Sequence, residues 1–371
     1  MISLNQTQSH PPPTLLPSPF FVLRPLPKRI HEFESLRAAL AWWVVVEHVR
    51  NHNPLPWIPK SVDKLIWPGH AVDLFIMLSG FVIFLLLDTK RESYFSFMTR
   101  RFFRLWPVFV VCFFSALLFT GFGAGNDWNV ILFSNLTMTH GLIPESASPN
   151  VTTTVLPPSW SISLEWQFYL VAPFLLFLLR TRLWVFVALL GLDLVLYQCL
   201  RATPDFVFPS VLPLRLHFFI CGGFSYFLWK RAPSGPNRAR VSLACALAGL
   251  AFLLTRSTSL TIWAGVLGYV VLKRMAPESG EESVNFSQRF TRWLGSISYS
   301  TYLCHWPIIL LVERGLKEAG LIYEDPLANF TVALVPVAIL TLFTSWLLNV
   351  TVEKPGIDFG RRLAGRLVPK S

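Results

Sequence analysis

Arg37 and His48 stand eleven residues apart in one mainly apolar stretch. At 3.6 residues per turn that spacing is close to three helical turns, so both side chains leave nearly the same face, roughly 16 Å apart along the axis. A guanidinium is a permanent cation whose planar fork suits phosphate. An imidazole with its ordinary pKa of about 6.5 is a base at neutral pH. Arg101 and Arg104, at the i, i+3 spacing, share a helix face and add two more forks. Ser161, Glu165 and Tyr169 are four apart and line one stripe of another helix. Asp73, Tyr302 and His305 stand in further apolar stretches. Sorted by depth, Arg37, Arg101 and Arg104 gather at one level, and His48, Asp73, Glu165 and His305 at another. A phosphorylated donor held at the first level, with proton transfer at the second, needs that arrangement.

Each residue alone also fits a plainer role. Arg37 and His48 fit a snorkelling cation and an interfacial imidazole. Arg101 and Arg104 fit a charged anchor beside a span. Glu165 fits a carboxylate at a helix N-terminus. His305 fits a structural histidine among packing Ser and Thr residues. What sets the group apart is cost: a charge within a bilayer is unfavourable by at least ~2.5–3.5 kcal/mol, so such residues carry a partner or a function.

The elements that must position these residues are apolar helices. Of 371 residues, 53% are hydrophobic and 14% charged, against roughly 25% charged in soluble domains. That excludes an ordinary soluble enzyme. The expected fold class is all-α: a polytopic membrane helix bundle with about ten transmembrane helices of about 20 residues each. The expected spans are 33–50, 70–88, 102–122, 161–180, 183–199, 206–229, 241–255, 258–273, 294–313 and 328–352. The apolar stretch Trp128–Met138 reads as a re-entrant or interfacial helix within a long loop. With the N-terminus inside, 23 of the 32 Lys and Arg residues fall on inner segments and seven on outer ones, and the loop 123–159 has none. The positive-inside rule therefore puts both termini in the cytoplasm and the protein in the cell membrane. The net charge of +11 is accounted for by those inner segments, which suit anionic headgroups and call for no nucleic acid.

Residues 1–29, with seven prolines before residue 28, read as a disordered cytoplasmic tail. Residues 30–360 read as one transmembrane domain and 361–371 as a short basic cytoplasmic tail. The five cysteines, Cys112, Cys199, Cys221, Cys245 and Cys304, form no Cys-x-x-Cys pair, so free thiols and no metal site are expected.

Read in order, Arg37-x10-His48, V-D-L-F-I-M-L-S-G-F, R-R-F-F-R-L-W-P, W-S-I-S-L-E-W-Q-F-Y, L-G-S-I-S-Y-S-T-Y-L-C-H-W-P and Glu353-Lys354-Pro355 resemble acyltransferase family 3, from about residue 30 to 360. The resemblance implies a membrane O-acyltransferase that moves an acyl group, often acetyl, from acyl-coenzyme A to a hydroxyl. Acceptors implied are carbohydrates, glycolipids or secreted metabolites. No permanently bound cofactor is implied. His48 fills the position of the presumed base, Arg37 its arginine partner, Arg101 and Arg104 the R-x-x-R pair, and Ser161, Glu165, Phe168 and Tyr169 the S-x-x-x-E-x-x-F-Y positions. Ala38 and Ala71 replace usual glycines, and Glu47 beside His48 is unusual.

The expected mechanism follows. His48 takes the acceptor's hydroxyl proton, with Glu165 or Asp73 steadying the imidazole. Arg37, Arg101 and Arg104 hold the coenzyme A phosphates, while Ser161, Tyr169, Tyr302 and His305 line the substrate path. The competing expectation is a transporter or flippase whose intramembrane charges line a substrate route, which repeat symmetry would favour. No internal repeat is evident.

Overall fold

The computed structural model describes residues 30–90, 92–231, 257–275 and 285–366. Among them there are helices and no strand. In chain order the helices are α1 (His31–His52), α2 (Lys60–Ile66), α3 (Pro68–Thr89), α4 (Tyr94–Thr120), α5 (Trp128–Leu136), α6 (Trp160–Thr181), α7 (Leu183–Arg201), α8 (Leu216–Lys230), α9 (Thr258–Met275), α10 (Phe286–Ser296), α11 (Ser298–Glu318), α12 (Pro326–Leu348) and α13 (Lys354–Arg366). A π-helical turn, Asn349–Glu353, joins the last two. The expected tail 1–29 and the expected span 241–255 with Cys245 lie outside the described residues. Cys112, Cys199, Cys221 and Cys304 are free thiols, as expected.

Helix ends follow local chemistry. Ser93 caps α4 by accepting from Ser96 N, so that helix starts eight residues earlier than expected. Asp127 caps α5 through Asn129 N and Val130 N, which makes the loop stretch a short helix. The sixth expected span is shorter, because Pro209 and Pro213 interrupt its first part and α8 begins only at Leu216. The ninth is preceded by a separate helix, α10, broken from α11 at Ile297.

Five of these helices, α3, α4, α6, α7 and α12, are long and apolar enough to cross a membrane. The expected ten are not reached by that measure. α1, at 22 residues, and α11, at 21, have the length, but both carry the ionisable and hydroxyl side chains singled out above. Their position explains why they tolerate this. α1 packs against α3, α10, α11 and α12, so its polar face meets protein rather than lipid. α7 is the opposite case. Only Phe186 and Asp193 of it are buried, and Trp184 is 74% exposed.

Close backbone approaches hold the central helices. A Cβ on Gly80 would lie 2.0 Å from Phe219 O, and one on Gly222 would lie 1.8 Å from Met77 O. Only glycine lets α3 and α8 pack at that distance. Phe219 then stacks on Phe168 at 3.9 Å between centroids, which ties α8 to α6. These three helices and α1, α4 and α11 surround the cavities below.

Candidate active site

At one end of the bundle Arg37, Arg101, Arg104, Glu165, Tyr169 and Ser79 line a common cavity of about 490 Å³. The three arginines come from α1 and α4, as their spacing implied. Glu165 and Tyr169 come from one stripe of α6, and the Tyr169 hydroxyl donates to Glu165 Oε1. Ser79 Oγ donates to the same oxygen at 2.8 Å. Among the described residues Oε2 accepts no hydrogen bond. The Arg101 guanidinium sits over the Tyr169 ring at 5.8 Å, and its buried Nε has no acceptor among the described residues. Arg37 and Arg104 donate to no acceptor among the described residues either. Three forks thus face one space with a single carboxylate, Glu165, in its lining, an arrangement suited to an anion.

A second cavity, of about 620 Å³, continues from the first. It shares Arg37, Arg104, Ser79 and Glu165 with it and adds Ser161, Tyr299 and Tyr302. Its far end is a neck. The Tyr302 hydroxyl donates to Pro158 O at 2.9 Å and lies 2.9 Å from Ser161 Oγ. Beyond Tyr302 and Val72 opens a third cavity, of about 840 Å³, lined by His48, Asn51, Trp67, Trp160 and Arg215 among others. Arg37 and His48 therefore open onto successive chambers, separated by one tyrosine.

In the third chamber His48 Nδ1 lies 2.8 Å from His305 Nε2, and His305 Nδ1 lies 3.3 Å from Thr301 O. Trp306 meets the His48 ring edge-on at 5.6 Å. Neither carboxylate expected to steady the imidazole hydrogen-bonds it. Asp73 is held by Arg215, Nε to Oδ1 at 2.9 Å, and by Ser259 Oγ at 2.8 Å. Glu165 belongs to the arginine chamber, on the far side of the Tyr302 neck. The side chain within hydrogen-bond distance of His48 is His305.

The model of the family described as an acyltransferase domain matches residues 30–350. The chain belongs to this acyltransferase family. It is 27% identical over 298 residues to the peptidoglycan O-acetyltransferase OatA of Listeria monocytogenes, a match covering 67% of this chain and 46% of that protein. It is 32% identical over 124 residues to the acyltransferase MdmB of Streptomyces mycarofaciens, covering 31% of each. The chain therefore matches less than half the length of either relative. No solved structure matches it.

Three residues of this acyltransferase-family site escaped the sequence reading. Ser79 was a serine inside a quoted motif with no role attached, yet it fixes Glu165. Arg215 falls within the expected span 206–229, but nothing in sequence pairs it with Asp73, 142 positions away. Glu353 is 4% exposed and accepts from Ser300 Oγ at 2.7 Å and Asn349 Nδ2 at 3.0 Å. Arg104 is within its electrostatic reach. Its signal was the Glu-Lys-Pro run, and the π turn that buries it could not be read from that run.

Proposed function

We propose that this protein is an integral membrane O-acyltransferase that carries an acyl group, acetyl in the simplest case, from cytoplasmic acyl-coenzyme A to a carbohydrate hydroxyl on the outer side. The observation that carries the reading is the run of three chambers, with three arginines around one cavity at one end and, at the other, a histidine whose Nε2 has no hydrogen-bond partner among the described residues. In this reading α1, α8, α9 and α11 join the five apolar helices as spans, and the segment 241–255 completes about ten. Both termini are cytoplasmic, which puts Arg37 inward and His48 outward.

Arg37, Arg101 and Arg104 bind the donor's phosphates, and the pantetheine arm extends through the second chamber toward Tyr302. His48 takes the proton of the acceptor hydroxyl as that oxygen attacks the thioester carbonyl. The C–O bond forms, the C–S bond breaks, and the departing thiolate regains the proton from His48 to leave as free coenzyme A. Arg215, neutralised by Asp73, and Asn51 offer hydrogen bonds to the acceptor. Kinship to a protein named for peptidoglycan O-acetylation favours a glycan acceptor. A transporter would use a similar run of cavities, and family membership weighs against it.

The test is radiolabelled acyl transfer from acetyl-coenzyme A to soluble peptidoglycan fragments and other glycans, by purified protein in lipid nanodiscs. Transfer that is lost in His48→Ala, with acetyl-coenzyme A binding kept, supports the reading. Normal turnover in that variant removes it.

A further inference from the structure

His48 and His305 are joined more specifically than a contact between two rings requires. The ring planes differ by 5° and the centroids are 5.1 Å apart, with 2.8 Å between Nδ1 of His48 and Nε2 of His305. That is the separation two imidazoles reach when the N–H of one points straight along the lone pair of the other. The far side of His305 settles which ring donates. Its Nδ1 faces the carbonyl oxygen of Thr301, and a carbonyl only accepts, so Nδ1 carries the hydrogen. A neutral His305 then has a bare Nε2, and His48 Nδ1 must be the donor. The alternative, a doubly protonated His305, would be a fully buried charge with no carboxylate in contact among the described residues, which is costly. The charged and titratable groups nearby do not supply one: His52 is engaged by Glu313 at 2.8 Å, and Arg215 by Asp73.

We propose that His305 is a positioning residue which, anchored by the Thr301 carbonyl, holds His48 in the Nδ1–H tautomer, so that the bare His48 Nε2 faces the chamber beyond Tyr302. This rests on the proposed role of His48 as base and extends it. A free histidine exchanges between tautomers and rotates. Here both are fixed without a carboxylate, in a chamber whose other charges are already paired. When Nε2 takes the acceptor's proton, the Nδ1–H bond to His305 spreads the positive charge over two rings. No proton needs to leave the pair, because the departing thiolate reclaims it.

The relay is read first in the wild-type protein, as ¹⁵N-histidine-labelled material in lipid nanodiscs, with His48 assigned by its loss in His48→Ala. A His48 with protonated Nδ1 and bare Nε2 is expected, and the opposite tautomer overturns the proposal whether or not the protein transfers acyl groups. The second reading is kinetic. His305→Phe should lower kcat about ten- to hundredfold, the range for removing a group that orients an active residue, with KM for acetyl-coenzyme A unchanged. His305→Gln, whose amide oxygen accepts where Nε2 did, should recover most of the kcat lost in His305→Phe. Full kcat in His305→Phe overturns the relay while leaving His48 as base. Loss of transfer in the wild type removes the base and leaves the tautomer to the spectrum.

Discussion

The two ends of the bundle handle charge in opposite ways. At the Arg37 end three guanidiniums crowd one chamber, and two of them donate to no protein group among the described residues. At the His48 end three cationic side chains have acidic partners. Arg215 is held by Asp73, and Arg50 bridges Glu47 at 2.6 Å and Asp63 at 2.8 Å. His52 meets Glu313. Glu47, unusual by family resemblance, is part of that neutralisation. Unspent positive charge calls for an anionic ligand, whereas a neutralised chamber with one bare imidazole nitrogen suits an uncharged hydroxyl. On the proposed reading, the contrast separates donor and acceptor by electrostatics before any shape is considered.

The sharpest way to break this contrast is His48→Ala. It should reduce kcat by about 10²–10⁴, the usual worth of a general base, with acyl-coenzyme A affinity kept, as a turnover and binding assay on the same sample would record. Next is the neutralised end. Asp73→Asn leaves the Arg215 cation unmatched, and breaking a buried pair from one side costs about 3–5 kcal/mol. A fall in the thermal midpoint of unfolding should appear, largely reversed in Asp73→Leu/Arg215→Met. If Asp73→Asn is as stable as wild type, that chamber is not electrostatically balanced as described. At the other end, Arg104→Ala should raise KM for acyl-coenzyme A about tenfold or more through a lost charge-assisted contact. It should lower the midpoint less than Asp73→Asn does, since the buried Glu353 within reach of Arg104 keeps its bonds from Ser300 and Asn349. The smallest effect concerns the loop between α5 and α6. Burial holds His140 down to about 4, so the loop is fully stabilised above the unfolded pKa of about 6.5. It loses stability as pH falls toward 4, because the unfolded state binds the proton first. Protease nicking between residues 139 and 159 should rise over that window, and should not in His140→Leu.

Much of this was legible in the amino-acid order because lipid makes polarity conspicuous. Arg37 and His48 on one face, the Ser161–Glu165–Tyr169 stripe and the Arg101–Arg104 pair all lie within single helices. Helical periodicity alone predicts such neighbours, and Tyr169 does bond Glu165. What joins one helix to another was not legible. The His48–His305 bond spans 257 positions and the Asp73–Arg215 pair depends on how closely α3 and α8 approach. Asp73 looked available to the imidazole only because its true partner was unknown. The spans 33–50 and 294–313 were legible as helices, and α1 and α11 fill them. These two are nevertheless outside the five helices apolar enough to cross, because their ionisable and hydroxyl side chains lower the apolar content.

A passage open from face to face would let ions run down their gradient and discharge the membrane. At Tyr302 the route between the chambers narrows to a phenol, a serine hydroxyl and the methyl groups of Val72. On the proposed reading, an acyl group on its flexible arm passes this plug only when the phenol swings aside. In a bundle that spans an energised membrane as proposed, a closed neck at Tyr302 keeps the voltage from discharging through these chambers.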